Sequence, residues 1–393
     1  DGLFKMWYCA GSGAFTALAT SRDGLHWDRP EYDVVPGSNA VLVHESGAGR
    51  DSFSPWIDGA DPGPERYKAF LFTTNHTSDL TRPHGGYRDA SWLLTSPDGV
   101  HWERRVRMSC DVGDNTLLFR DTVLERWCLS IRGGRHPAGR TREHLAAHEF
   151  LDLAAKTNHD KRFWAAADER DAPDSVIGVP PQLYTIAPRR YEGVLVGVFT
   201  MWYGPENLTC LRGAFPKLTE LQVGFSRDGI RWERPVRSAF VAASREEGRS
   251  DRGYLRASGG AFVERGDELL FYYSGFSGVS PDGREHMYAG GSMHVATLRR
   301  DGFASMDADG TGGELVTRPV SVTGSRLMLN ASAAGGEIRV GLLRDDETPI
   351  PGRTLADAVP VTGDQLRREV KWRRGSELPA GASVRLVLAD RKS

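Results

Sequence analysis

The chain has 393 residues, enough for one large domain and a smaller companion, and its 50 basic and 52 acidic side chains leave a formal net charge of −2. Neither sign forms a long block and no apolar run is long enough to span a bilayer, which argues against nucleic acid or a membrane as a partner. Four cysteines, Cys9, Cys110, Cys128 and Cys210, are too few for a disulfide scaffold, and no C-x-x-C or H-E-x-x-H spacing supports a metal site, so neither metal nor cofactor is expected.

From the N-terminus, Asp1-Gly2 reads as a hairpin turn feeding a strand over Phe4–Cys9, followed by another at Thr16–Thr20. On this reading the opening strand of the first unit lies outside the chain, unless the C-terminal segment supplies it. A secreted or periplasmic location is expected, with no signal peptide to read. Then comes Ser21-Arg22-Asp23-Gly24-Leu25-His26-Trp27. The same phrase, S-x-D-G-x-x-W, returns at Ser96–Trp102 and Ser226–Trp232, with a weaker copy at Asn158–Trp164 and a trace at Arg300-Asp301-Gly302. The aspartates fall at 23, 98, 160, 228 and 301, so the steps are 75, 62, 68 and 73 residues. A near-regular period of this length marks a repeat architecture.

The phrase itself is turn chemistry. Asp-Gly gives a tight turn with φ > 0 at the glycine, the Ser or Asn can hydrogen-bond the turn, and the Trp can fold back as an apolar plug between units. Strand-like runs flank each copy, among them Tyr67–Phe72, Ser91–Thr95, Val194–Phe199, Leu221–Phe225, Leu269–Tyr273 and Met293–Thr297. The best helical candidate is Glu143–Ala155. The expected fold is all-β: a five-bladed β-propeller over residues 1–314, each blade a four-stranded meander, followed by a small β-sandwich over 315–393. Tail strands are expected at Arg326–Asn330, Glu337–Leu343, Val370–Trp372 and Val384–Ala389, separated by Gly335-Gly336 and Gly363-Asp364. Ten Trp, eleven Tyr and sixteen Phe suit such a fold and also a sugar-binding cleft.

A second repeat opens two units: Asp51-Ser52-Phe53-Ser54-Pro55-Trp56-Ile57-Asp58 parallels Asp114-Asn115-Thr116-Leu117-Leu118-Phe119-Arg120-Asp121. In a propeller the first strand of each blade lines the channel. The leading aspartates, Asp51 and Asp114, would then stand at its mouth and the trailing ones in the turn to the second strand. Glycosidic cleavage needs one carboxyl to protonate the leaving oxygen and an ionised one to attack or to activate water. Asp51 and Asp114 are the best pair for this, and their matched positions favour that role over turn capping. Asp251-Arg252 precede the expected inner strand of the fifth blade at Ser258–Glu264 and offer a third carboxylate or a loop ion pair. Tyr184 falls on the fourth blade's inner strand, and Arg132 can hold a substrate oxygen in its fork. His84, with His76 and Arg88, lies in the long insertion at 74–89, where loops on rigid scaffolds carry specificity. The aspartates of the repeated phrase read as structural.

The grammar carried by Lys5-Met6-Trp7-Tyr8, Ser21–Pro30, Tyr67–Phe72, Ser96–Glu103 and Ser226–Pro235 resembles the five-bladed propeller glycoside hydrolases of families 32, 43, 68, 117 and 130. The resemblance implies that carboxylates from the inner strands of the first three blades converge on the channel. Asp51, preceded by Arg50, stands where the second-blade Asp is expected, with Ser52 in place of the proline of an R-D-P motif. Asp114 stands where the third-blade acid is expected, a position those families fill with Glu. It also implies that a loop His, here His84, can serve as an acid. Three readings remain open. One is a hydrolase or transglycosidase of a furanoside-like or fructoside-like glycoside. Another is a carbohydrate-binding propeller without catalysis. The last is a glycoside phosphorylase using Arg50, Arg132 and Arg252 for phosphate. All three have a carbohydrate as partner.

Overall fold

The computed structural model describes residues 2–44, 48–75, 90–133, 136–137 and 139–392. Their regular structure is nearly all strand, with one short α-helix, Asn207–Gly213 (α1). The chain divides into two compact units, one of residues 1–265 and 269–297, the other of 266–268 and 298–393.

The first unit carries five antiparallel sheets in chain order. The first contains Phe4–Ala10 (β1), Phe15–Ser21 (β2) and Ala40–Val43 (β3). The second contains Ala48–Ile57 (β4), Tyr67–Asn75 (β5), Ala90–Ser96 (β6) and Glu103–Arg107 (β7). The third contains Leu117–Asp121 (β8), Arg126–Arg132 (β9), Thr141–Ala147 (β10) and Arg162–Ala166 (β11). Gln182–Tyr191 (β12), Val194–Gly204 (β13) and Leu218–Ser226 (β14) make the fourth. In the fifth, Glu268–Phe276 (β17) pairs with Gly253–Ala257 (β15), Val263–Arg265 (β16) and Gly291–Arg299 (β18). Middle strands such as β5 and β13 are buried on both faces, so they read as continuous apolar runs, whereas the edge strand β7 alternates and shows its charges to water.

The repeated phrase holds neighbouring sheets together. In its first copy, Ser21 Oγ accepts from Gly24 N at 2.8 Å, and Asp23 Oδ1 accepts from Leu25 N and His26 N at 2.8 Å each. Asp98 and Asp228 repeat the aspartate's role. Gly24, Gly99 and Gly229 all have φ between +75° and +82°. Each turn then offers its glycine carbonyl to an aromatic donor from another sheet. Trp7 of β1 donates to Gly99 O at 2.8 Å, Trp164 of β11 to Gly229 O at 2.9 Å, and Tyr272 of β17 to Gly24 O at 2.5 Å. The last of these bonds the fifth sheet to the first. The approach is close enough that a Cβ at Gly24 or Gly99 would lie 2.7 Å from the donor's side chain. The phrase's tryptophans fill the same seams edge-on: Trp102 against Trp7, Trp232 against Trp164, and Trp27 against Tyr272, with ring centroids 6.3, 5.2 and 5.8 Å apart. A buried ion pair, Arg190 to Asp121 at 2.8 Å, adds to the seam between the third and fourth sheets.

Several local expectations are corrected. Glu143–Ala155 is not a helix: residues 143–147 belong to β10, paired on both sides by β9 and β11, and Leu151–Ala155 is a short 3-10 turn. Pairing and burial outweigh local propensity there. The fifth sheet's first strand is Gly253–Ala257, ahead of the Ser258–Glu264 expected. The cysteines are free thiols, with Cys110, Cys128 and Cys210 buried.

The second unit holds a five-stranded antiparallel sheet of Gly313–Val316 (β19), Val320–Ser321 (β20), Met328–Leu343 (β21), Val361–Glu369 (β22) and Ser383–Lys392 (β23). Val370–Trp372 follows β22 instead of forming a strand, because Trp372 turns inward and donates Nε1–H to Val340 O at 2.8 Å. Gly335-Gly336 and Gly363-Asp364 are inside β21 and β22, absorbed by a shift of register instead of breaking the strands.

The seam at Trp164 gives a stability test. Trp164→Ala should cost about 3–5 kcal/mol in denaturant unfolding through lost packing. Trp164→Phe keeps most of the ring but strands the Gly229 carbonyl, and should cost about 1–3 kcal/mol. A negligible cost for Trp164→Phe would show that the hydrogen bond contributes nothing of its own.

Candidate functional site

The first strands of sheets two to five, β4, β8, β12 and β15, lie against one another. Ser54 Oγ of β4 accepts from Leu118 N of β8 at 2.8 Å, and the Tyr184 and Tyr254 hydroxyls of β12 and β15 meet at 3.0 Å. Three of these four strands break their ladder where a polar side chain is needed. The register shifts between Arg50 and Ser52 in β4, between Leu183 and Thr185 in β12, and between Gly253 and Arg256 in β15. The unpaired residues are Asp51, Tyr184 and the Tyr254-Leu255 step. A bulge turns its extra residue out of the pleat and re-aims the side chain. Asn115, just ahead of β8, has φ +57°, and Tyr254 has φ +49°, so both stand in the left-handed region that non-glycine residues rarely enter.

Asp114 is the best-defined member. Its Oδ1 accepts from Arg132 Nη1 at 2.5 Å and its Oδ2 from Asn115 Nδ2 at 2.9 Å. Burial raises its carboxyl, but Arg132 beside it, with Arg140 and Arg256 behind, outweighs burial and holds it below the usual carboxylate range. Arg256, on β15, donates to Asn115 Oδ1. Burial disfavours its charge, while Tyr254, Tyr184, Asp51 and Asp114 favour it and prevail, so it stays a guanidinium. Asp51 from the second sheet, Asp114 from the third and Tyr184 from the fourth thus act on one arginine of the fifth.

Beneath them lies Arg142, fully buried, whose donors reach three backbone carbonyls: Asn115 O at 2.8 Å, Tyr184 O at 3.3 Å, and Ser130 O. It fixes the segments that carry Asp114 and Tyr184. Lys217 is also fully buried, donating to Asn207 Oδ1 at 2.9 Å, with Tyr254, Tyr184 and Trp202 ring centroids 4.3, 4.8 and 5.3 Å from Nζ. Arg140 rests on the faces of Tyr184 and Trp202, 5.0 Å from each. Burial raises the Tyr184 phenol, but Arg256 and Lys217 overcome this and bring it below its ordinary value, while burial pushes its partner Tyr254 well up.

Of the residues singled out in the sequence, Asp51, Asp114, Arg50, Arg132 and Tyr184 come together here. Asp251 instead pairs with Arg249 at 3.5 Å and faces Tyr273. Arg252 donates to Ser277 O at 3.5 Å and lines a recess with Lys217, Asp174 and Arg245. His84 lies outside the described residues. Glu192 sits in the β12–β13 turn. Sequence reading missed Arg140, Lys217, Tyr254 and Arg256. Tyr254-Leu255-Arg256 is a usable signal, a strand-like triplet directly after Asp251-Arg252-Gly253, hidden by placing the fifth inner strand too late. No group of three or more potential metal ligands occurs among the described residues.

No family model matches the chain, and no curated protein is a match. Among solved structures it is similar to an N-acetylgalactosamine deacetylase from F. plautii, at 12% identity and TM-score 0.49, covering 74% of this chain and 82% of that one. It is similar to a β-1,2-mannobiose phosphorylase from Listeria innocua, at 14% identity and TM-score 0.46, covering 73% and 67%. An exo-β-1,3-galactanase from Phanerochaete chrysosporium gives 8% identity and TM-score 0.47, covering 99% and 90%. At these values the likeness assigns neither a family nor an activity.

The depressed Asp114 carboxyl makes a signed prediction. A group whose folded pKa lies below its unfolded value of about 3.9 adds stability above that value, and this is lost as pH falls through the folded pKa. Arg132→Gln should raise the Asp114 pKa and shrink the acid-side loss of stability. Carboxylate ¹³C chemical shifts against pH would report the change. An unmoved Asp114 would show that Arg140 and Arg256 alone hold it.

Proposed function

We propose that this chain is a glycoside-cleaving enzyme, a five-bladed β-propeller with a C-terminal β-sandwich, acting on a furanoside-like, fructoside-like or related glycosidic bond. One observation carries the reading. Residues from the first strands, or the residues just ahead of them, in four successive sheets meet at Arg256, and two of them, Asp51 and Asp114, are carboxylates of the matched pair. Asp114, kept ionised by Arg132, suits attack on the anomeric carbon or activation of water. Asp51 is exposed and can recover a proton from water in each cycle, which suits delivery of a proton to the leaving oxygen. This reverses the order that the resemblance implies for the two positions.

Phosphorolysis is the second reading, favoured by the cations gathered at the site. It would use Arg50 and Arg132, while Arg252 lines a recess together with Lys217.

The test is turnover on a broad glycoside panel, with and without inorganic phosphate. Asp51→Asn should lose about 10²–10⁴-fold on unactivated glycosides, yet recover much of this on dinitrophenyl glycosides, whose leaving group needs no acid. Asp114→Asn should lose on both. Phosphate-dependent turnover selects the second reading. Sugar binding with no turnover anywhere on the panel would defeat both.

A further inference from the structure

The charge at the site is lopsided. Six cationic side chains, Arg50, Arg132, Arg140, Arg142, Lys217 and Arg256, act on one another and, among the described residues, on the carboxylates of Asp51, Asp114 and Glu143. Two of the six are accounted for, since Arg132 pairs with Asp114 and Arg142 gives its donors to backbone carbonyls. Glu143, the further acid near Arg142, is taken by Lys161 at 3.6 Å. The other four have no ion pair with a carboxylate within 4 Å among the described residues. Arg256 donates to a neutral amide, Lys217 to Asn207 and the Tyr184 hydroxyl, and Arg140 rests on ring faces. Arg50 Nε and Nη1 are closed off from solvent and have no acceptor among the described residues.

Such an arrangement is costly by itself, because like charges drawn from water into one place repel and leave donors unused. The cost falls when a ligand brings negative charge. Arginine forks held on aromatic faces are suited to a planar or tetrahedral oxyanion.

We infer that the substrate itself is acidic: the glycan carries an oxyanion, a carboxylate or an ester sulfate or phosphate, that docks against Arg256 and Arg140 within this basic cluster. Arg256 and Arg140 are both partly accessible, so they make the direct contacts, while buried Lys217 and Arg50, whose Nε and Nη1 are closed off from solvent, add charge. The inference rests on the glycosidase reading of the same site and deepens it.

The experiment compares uronate-bearing oligosaccharides with the same oligosaccharides after carboxyl reduction. Equilibrium binding to the full chain is measured by calorimetry, and cleavage is assayed in parallel. For the acidic member that fits, binding should be at least about tenfold tighter than for its reduced partner, the ratio falling as salt rises. Arg140→Gln and Arg256→Gln should each bring that ratio close to one while binding of the reduced sugar persists. Arg140→Gln alone decides the point if Arg256→Gln fails to fold. Equal binding of acidic and reduced forms, or a ratio that survives both substitutions, overturns the inference. So does inorganic phosphate that fills the site together with a neutral sugar, since the oxyanion is then free phosphate. Cleavage of neutral glycans without preference for acidic ones defeats this inference and spares the glycosidase reading. Selective acidic binding without any cleavage does the reverse.

Discussion

The hydrogen bond from an aromatic side chain to the glycine carbonyl of another sheet's turn is the contact on which the first unit's arrangement depends. Each sheet is small and cannot bury both faces alone. The S-x-D-G-x-x-W turn solves two problems at one point. Its Ser and Asp satisfy the turn's own N–H groups, which leaves the glycine carbonyl free to accept from outside. Its Trp then closes the seam around the aromatic ring that donates. The donor is indole at two seams and phenol at the third, so the constraint is a polar tip on a large flat ring rather than one residue type. These seams fix where each sheet lies, and so bring the first strands together at the other end of the meanders.

This explains which parts were legible in the sequence. Turn chemistry is local, and the repeat of Asp, Gly and Trp at fixed offsets needs no tertiary knowledge to read. Asp51 and Asp114 were reachable because each opens a second repeat, with another Asp seven residues on. Bulges are different. Nothing in Arg50-Asp51-Ser52 or Leu183-Tyr184-Thr185 says that the ladder slips there, since the slip depends on what the partner strand does. Arg256 escaped notice because β15 is five residues long and lacks the apolar run that marks β5 or β13. The segment over residues 143–155 misled for the opposite reason. Its local composition suits a helix, but β10 is claimed from both sides by neighbouring strands.

Arg142 joins the scaffold to the site. A guanidinium with no access to water is tolerated only when its donors are used, and here they are used on backbone carbonyls. The groups it holds are the residue after Asp114 and the bulged Tyr184. The left-handed backbone of Asn115 and the slip in β12 both carry a conformational cost, and the bonds from Arg142 oppose their relaxation. Removing this arginine would therefore disturb the geometry of Asp114 and Tyr184 without touching either side chain.

The same cationic ground decides what kind of chemistry the two carboxylates can support. Two nearby carboxyls disfavour each other's charge, which raises the pKa of one of them. Here the basic residues reverse that pressure and hold Asp114 ionised. A glycosidase built this way has its ionised partner ready at all times, and its difficulty moves to the proton donor. On the acidic-substrate proposal, the anion that docks also offsets part of the basic field around the two carboxylates.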